Sequence, residues 1–114
     1  MPFRSPYADV EIPQGSVFDY LFADMTPTLI AQVALVDGAS GDETSYGALV
    51  AQIERFAGAL AARGVRVGDV VALHSPNVPA FATAFHGILR AGATATTINA
   101  LYTAGEIEKQ LRDS

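Results

Sequence analysis

An α/β fold follows from three features of the sequence. The hydrophobic period changes from two to about 3.6 at Tyr46. Two short apolar, β-branched runs, 70–73 and 93–98, enclose a stretch with helical character. Glycines stand at 64, 68 and 92, where the backbone needs a left-handed stop or a tight turn. Strand, helix and strand within about 30 residues make a βαβ unit, whose crossover is almost always right-handed.

Residues 1–15 read as an extended arm, because Pro2, Pro6 and Pro13 deny a helix its hydrogen bonds. Residues 16–114 then form a partial α/β domain. Ser16 caps a short first helix with Asp19 as its partner three residues on. Phe18, Leu21, Phe22 and Met25 form one stripe there, so that helix docks on a core. Thr26-Pro27 starts a second short turn or helix that fades by Val33. The runs 34–37 and 43–46 flank a loop rich in turn formers, 38–42, and read as a β-hairpin.

From Tyr46 the residues Leu49, Val50, Ile53, Phe56, Ala57 and Leu60 share one helical face, and Gly64 ends the helix. Gly68-Asp69 turns into the strand 70–73, which lacks alternation and so is expected to be covered on both faces. Ser75-Pro-Asn77 breaks that strand and is expected to cap the next helix, 78–90. Apolar almost all round, this helix belongs between a sheet and another layer. Gly92 ends it before the strand 93–98, and Thr103 with Glu106 sets a capping box for a last helix carrying Ile107 and Leu111. A third parallel strand is expected after it, so the sheet reads as incomplete within this chain.

Composition excludes several function classes. With 114 residues the chain is one ordinary domain at most. It has no cysteine, hence no disulfide framework or thiolate metal site, which fits a reducing cytoplasm. Net charge is −5 and the seven basic residues do not cluster, so no nucleic-acid groove is expected. Hydrophobic residues make up 50%, yet no run approaches the roughly 20 needed to span a bilayer. The apolar surplus is expected to face sequence beyond this chain.

Several separate anchors resemble one family. They are Thr44-Ser-Tyr46 followed by Leu49; Gly64-Val65, Gly68-Asp69-Val70 and Pro76-Asn77; Phe81, Phe85, Gly87 and Ala91-Gly92-Ala93; then Asn99, Tyr102-Thr103 and Glu106-Ile107. Together, from about Leu35 onward, they resemble the start of the large domain of adenylate-forming acyl-CoA ligases, nearest the 4-coumarate–CoA ligase and fatty-acyl-CoA ligase branch. One departure is Ala100, where that family often has proline. The resemblance implies an enzyme that uses ATP, Mg2+ and coenzyme A to convert a carboxylic acid to an acyl-adenylate and then a thioester. It also implies that this chain is an N-terminal piece, inactive alone, whose partner is the remainder of the ligase. Two other readings remain: a self-standing α/β binding or interaction module, and a relative that loads a carrier protein.

The family's phosphate loop has no counterpart here. The segment 38–45 is rich in Gly, Ser and Thr but lacks the lysine, and the one lysine, Lys109, is far along the chain. A plain hairpin turn is the expected role. The glycines likewise do not form a dinucleotide fingerprint. His74 ends a strand where α/β ligands tend to bind. His86, in the apolar helix, is expected to be a satisfied core or interface residue, and the two histidines lack metal-site spacing. No catalytic residue is assigned.

Asn99 and Tyr102 are the candidate binding residues. By resemblance their loop lies near the channel through which the pantetheine arm of coenzyme A enters. Asn99 offers amide hydrogen bonds and Tyr102 a wall. The alternative, which the residues themselves favour, is structural: Asn99 caps the turn and Tyr102 packs under the last helix. Val71, Phe81, Phe85 and Ile98 are expected near an uncovered surface, leading to self-association. Otherwise the first helix folds back over them.

Overall fold

Side-chain caps fix where the first three helices begin. The computed structural model describes Phe3 and residues 5–114. Within the arm expected over 1–15, Met1, Pro2 and Arg4 lie outside the described residues. Helix α1 (Val17–Phe22) starts at Ser16, whose Oγ accepts from the Asp19 N–H at 3.0 Å. Helix α2 (Pro27–Ala31) starts at Thr26, whose Oγ1 accepts from the Leu29 N–H at 3.2 Å. Helix α3 (Tyr46–Ala62) starts at Ser45, whose Oγ accepts from the Ala48 N–H at 3.2 Å. Each bond satisfies an amide that the helix itself leaves without a partner.

Strands β1 (Val33–Val36) and β2 (Glu43–Ser45) pair antiparallel as the expected hairpin, with an irregularity between Val33 and Leu35. Strand β3 (Val70–His74) and strand β4 (Thr94–Ile98) pair parallel, joined by helix α4 (Pro79–Arg90). Helix α5 (Ala104–Asp113) follows. The described residues thus hold two separate two-stranded sheets, with α4 packed on α1, α3, β3 and β4.

Ile53 of α3 and Ile88 of α4 are the most deeply buried side chains, at 0% and 1% exposure. Phe18 of α1 joins Leu49 and Ile53 in the core, with Phe22, Ala34, Leu35 and Val50 against them. Helix α3 approaches α4 closely because Gly87 has no side chain: a Cβ there would sit 2.6 Å from Phe56 Cδ1. Gly92 is also doubly constrained. Its φ is +81°, and a Cβ would meet Val67 Cγ2 at 2.8 Å. Gly64 and Gly68 take the positive φ their positions require.

Four local expectations are corrected. Asn77 does not cap α4; Val78 holds the N-cap position without a side-chain bond. Pro79 in the first turn explains the shift, since proline drives the preceding residue into extended backbone, here φ −126° and ψ 161°. Strand β3 is not covered on both faces: Val70, Ala72 and His74 are exposed, while Val71 and Leu73 are half-buried. Leu21 faces solvent, so α1 docks through Phe18 and Phe22, spaced by one turn. Ile98 is buried at 4% exposure and does not belong to an uncovered surface.

Candidate functional site

Parallel pairing brings the carboxyl ends of β3 and β4 to the same edge, the place where ligands enter open α/β sheets. Ser75, Pro76 and Asn77 leave β3 there, and Thr97, Ile98, Asn99, Ala100 and Tyr102 belong to β4 and the loop after it. With Phe81 of α4 they line an open cleft of about 380 Å³. Both candidate residues, Asn99 and Tyr102, therefore meet in one depression.

Asn99 shapes its own loop. Its Oδ1 accepts from the Leu101 N–H at 2.9 Å, and its carbonyl accepts from the Tyr102 N–H at 3.1 Å. The side-chain oxygen is thus engaged in the turn, and the amide NH2 is the group that can face a ligand. Tyr102 is 41% exposed and separates the cleft from a second hollow lined by Glu106, Lys109, Gln110 and Asp113. The loop's far end is pinned by Glu106, whose Oε2 accepts from the Thr103 N–H at 2.7 Å and from its hydroxyl at 2.8 Å. Those two bonds, the backbone one first, hold the Glu106 carboxyl below its ordinary value.

Chemically, the cleft offers hydroxyl and amide groups between two aromatic walls, and none of its lining side chains carries a full charge. It suits a neutral, amide-bearing chain better than a phosphate. Sequence reading missed Ser75, Asn77 and Phe81 as site residues. The available signal was their place just after β3 at the switch-point edge. His74 ends β3 beside Ile98 but is not part of the cleft lining. His86 lies away from it in α4, and its buried Nδ1 has no hydrogen-bond partner, contrary to the satisfied role expected for it.

A larger hollow of about 500 Å³ lies between the hairpin loop and the start of α4. It is not a phosphate cradle. Asp37 Oδ1 already accepts from the N–H groups of Ala39 and Ser40, at 2.8 and 3.1 Å, and these bonds hold its carboxyl below the ordinary value. The turn amides that a phosphate would need point at a carboxylate of the chain itself. Among the described residues there is also no group of three His, Cys, Asp or Glu placed to hold a metal ion. The hairpin turn therefore does not fit a phosphate.

Comparison with known proteins decides the family. A family model described as AMP-binding enzyme matches residues 23–114. The chain belongs to the AMP-binding enzyme family. Among curated members, 4-coumarate–CoA ligase 5 of Oryza sativa subsp. japonica is 39% identical over 113 residues, covering 98% of this chain and 21% of that protein. 4-Coumarate–CoA ligase 4 of Arabidopsis thaliana is 36% identical over 121 residues, covering 98% and 20%. Among solved structures, apo MatB from Rhodopseudomonas palustris superposes with a TM-score of 0.77 at 33% identity, covering 86% of this chain and 19% of that one. The anthranilate CoA ligase AuaEII, in complex with anthranoyl-AMP, gives 0.78 at 29% identity, covering 87% and 19%. The mixed α/β architecture matches the N-terminal part of these adenylate-forming ligases, and the chain spans about a fifth of the length of the curated relatives it matches.

Proposed function

We propose that the complete protein is an ATP-dependent carboxylic acid–CoA ligase and that this chain lends one wall to the channel for the pantetheine arm. The observation that carries the reading is the family match over 23–114 together with relatives named CoA ligases. In the proposed reaction the carboxylate displaces pyrophosphate from ATP, and the coenzyme A thiol then displaces AMP. Groups for ATP and Mg2+ come from the remainder of the ligase chain, in keeping with a hairpin turn whose amides already bond Asp37. Asn99 presents its amide NH2 to the pantetheine amides, while Tyr102 and Phe81 flank them. A cytoplasmic location belongs to the same proposal, supported by the absence of cysteine. Among the described residues, no helix is long and apolar enough to cross a membrane.

A chimera tests the reading: this chain replaces the matching fifth of a 4-coumarate–CoA ligase. Adenylate formation is read by ATP–pyrophosphate exchange, and the second half-reaction by thioester formation against coenzyme A concentration. Asn99→Ala and Tyr102→Ala are expected to raise the KM for coenzyme A by roughly 5–30-fold, the cost of one lost hydrogen bond or contact. Exchange is expected to stay unchanged. Equal loss in both half-reactions would make the loop structural, and no loss in either would remove it from the channel. The chain by itself is expected to show no exchange with any acid; exchange abolished by a substitution within it would refute that.

A further inference from the structure

Two rungs hold the short helix α1 against α4. The guanidinium of Arg90 lies 4.8 Å from the centroid of the Phe18 ring. One turn away on each helix, the His86 and Phe22 rings meet edge-on, with centroids 5.6 Å apart at 85°. Phe85 closes the imidazole from another side at 5.5 Å and 86°. Phe18 and Phe22 also contact one another at 5.2 Å, so the two rungs form one aromatic patch. Nδ1 of His86 is buried in this setting without a partner. As a neutral acceptor it tolerates that position at modest cost; as an N–H donor on a cation it does not.

We propose that His86 is an acid-sensitive latch: protonation of its imidazole releases α1 from α4. The added proton would sit on an unpartnered nitrogen among Phe22 and Phe85. The new charge would also lie one helical turn from Arg90, a spacing at which like charges repel. Charged groups on the surrounding elements are few. They are Asp19 on α1 and Asp24 just beyond it, Glu54, Arg55 and the exposed Arg63 cap of α3, and Arg90 on α4; β3 contributes His74 and β4 none. Burial alone lowers the His86 pKa from 6.5, and none of these charges adds to the shift. The sign follows. Above the free imidazole value, docked and released forms are both neutral and α1 stays bound. As pH falls below it, the released form takes up the proton first, and docking weakens until the lowered docked value is passed.

The experiment uses the whole 114-residue chain. His86 is titrated by NMR beside a short unstructured histidine peptide as reference, while hydrogen exchange follows the amides of α1 from about pH 7.5 to about pH 5. Expected is a His86 midpoint below that of the free peptide imidazole. Protection of α1, corrected for intrinsic exchange, should fall with a slope approaching about tenfold per pH unit. His86→Phe, which keeps an aromatic ring and cannot titrate, should make protection independent of pH. If that variant fails to fold, His86→Gln replaces it, and the wild-type titration stands without either. A His86 midpoint at or above that of the free peptide imidazole would overturn the latch, through cation–π stabilisation by the flanking rings. A flat wild-type profile, or the same fall in the variant, would overturn it too.

Discussion

Glu106 illustrates how much one side chain decides locally. Its carboxylate takes both the N–H and the hydroxyl of Thr103, joining the end of the candidate loop to the first turn of α5. Because its folded value is depressed below 4.5, the stabilisation it gives is present above the ordinary carboxylate range. It is lost as pH falls through the lowered value. Amide protection in the first turn of α5 is therefore expected to weaken as pH falls below the ordinary carboxylate value and through the lowered one. Glu106→Gln should abolish that dependence. An unchanged pH profile in the variant would show that another group controls the turn. Gln110 adds a second tether, donating to Thr96 Oγ1 at 3.2 Å and to the Thr97 carbonyl at 2.8 Å, so α5 reports on β4 as well.

At the level of elements, the α3–α4 contact turns on Gly87. Gly87→Ala is expected to cost about 1–3 kcal/mol, because Phe56 must move to admit a methyl group. Gly58, in α3 with open space around it, gives the opposite sign: Gly58→Ala should stabilise by about 0.5–1 kcal/mol. Urea midpoints at constant slope measure both. A neutral Gly87→Ala would mean the helices separate at no cost. Much of this architecture was legible in the sequence, since caps and periods are local. Ser16, Thr26 and Thr103 start helices as read, the period changes at Tyr46, and Gly92 ends α4. What escaped reading depends on residues distant along the chain. The Gly87–Phe56 approach needs the helix crossing, and the exposed row of β3 needs knowledge of what covers it. The cleft joins Ser75–Asn77 to Asn99–Tyr102 only once the strands pair. The isolation of His86 Nδ1 depends on the docking of α1.

Across the whole molecule, the radius of gyration is 17.2 Å. A closed domain of this length has about 13 Å, so the chain is more extended than a self-sufficient globule. The arm contributes to this, as does the division into two small sheets. Helix α1 nevertheless packs on α4 and places Phe18 in the core, with Leu21 exposed. Deleting residues 1–25 is therefore expected to uncover the faces of Leu49 and Ile53. Sedimentation should then show larger species, and a hydrophobic dye should bind more strongly. Identical behaviour of intact and shortened chains would mean that α1 covers nothing of consequence. Self-association of the intact chain through its strand edges remains a proposal that the same run reads.

The register of the parallel pair also sets a timetable. Each residue of β3 faces one 24 positions later, Val70 with Thr94 and His74 with Ile98, and the hairpin pairs Val33 with Ser45 over a shorter span. Ribosomes add about 5–20 residues per second, whereas a hairpin forms in roughly 1–10 μs and loops of this order close comparably fast. These elementary steps are far faster than synthesis. The hairpin and α3 are thus both synthesised before β4, and β3 has its parallel partner only after the seconds that translation takes to deliver it. Slow codons between Arg90 and Ile98 would lengthen the time that β3 stands unpaired.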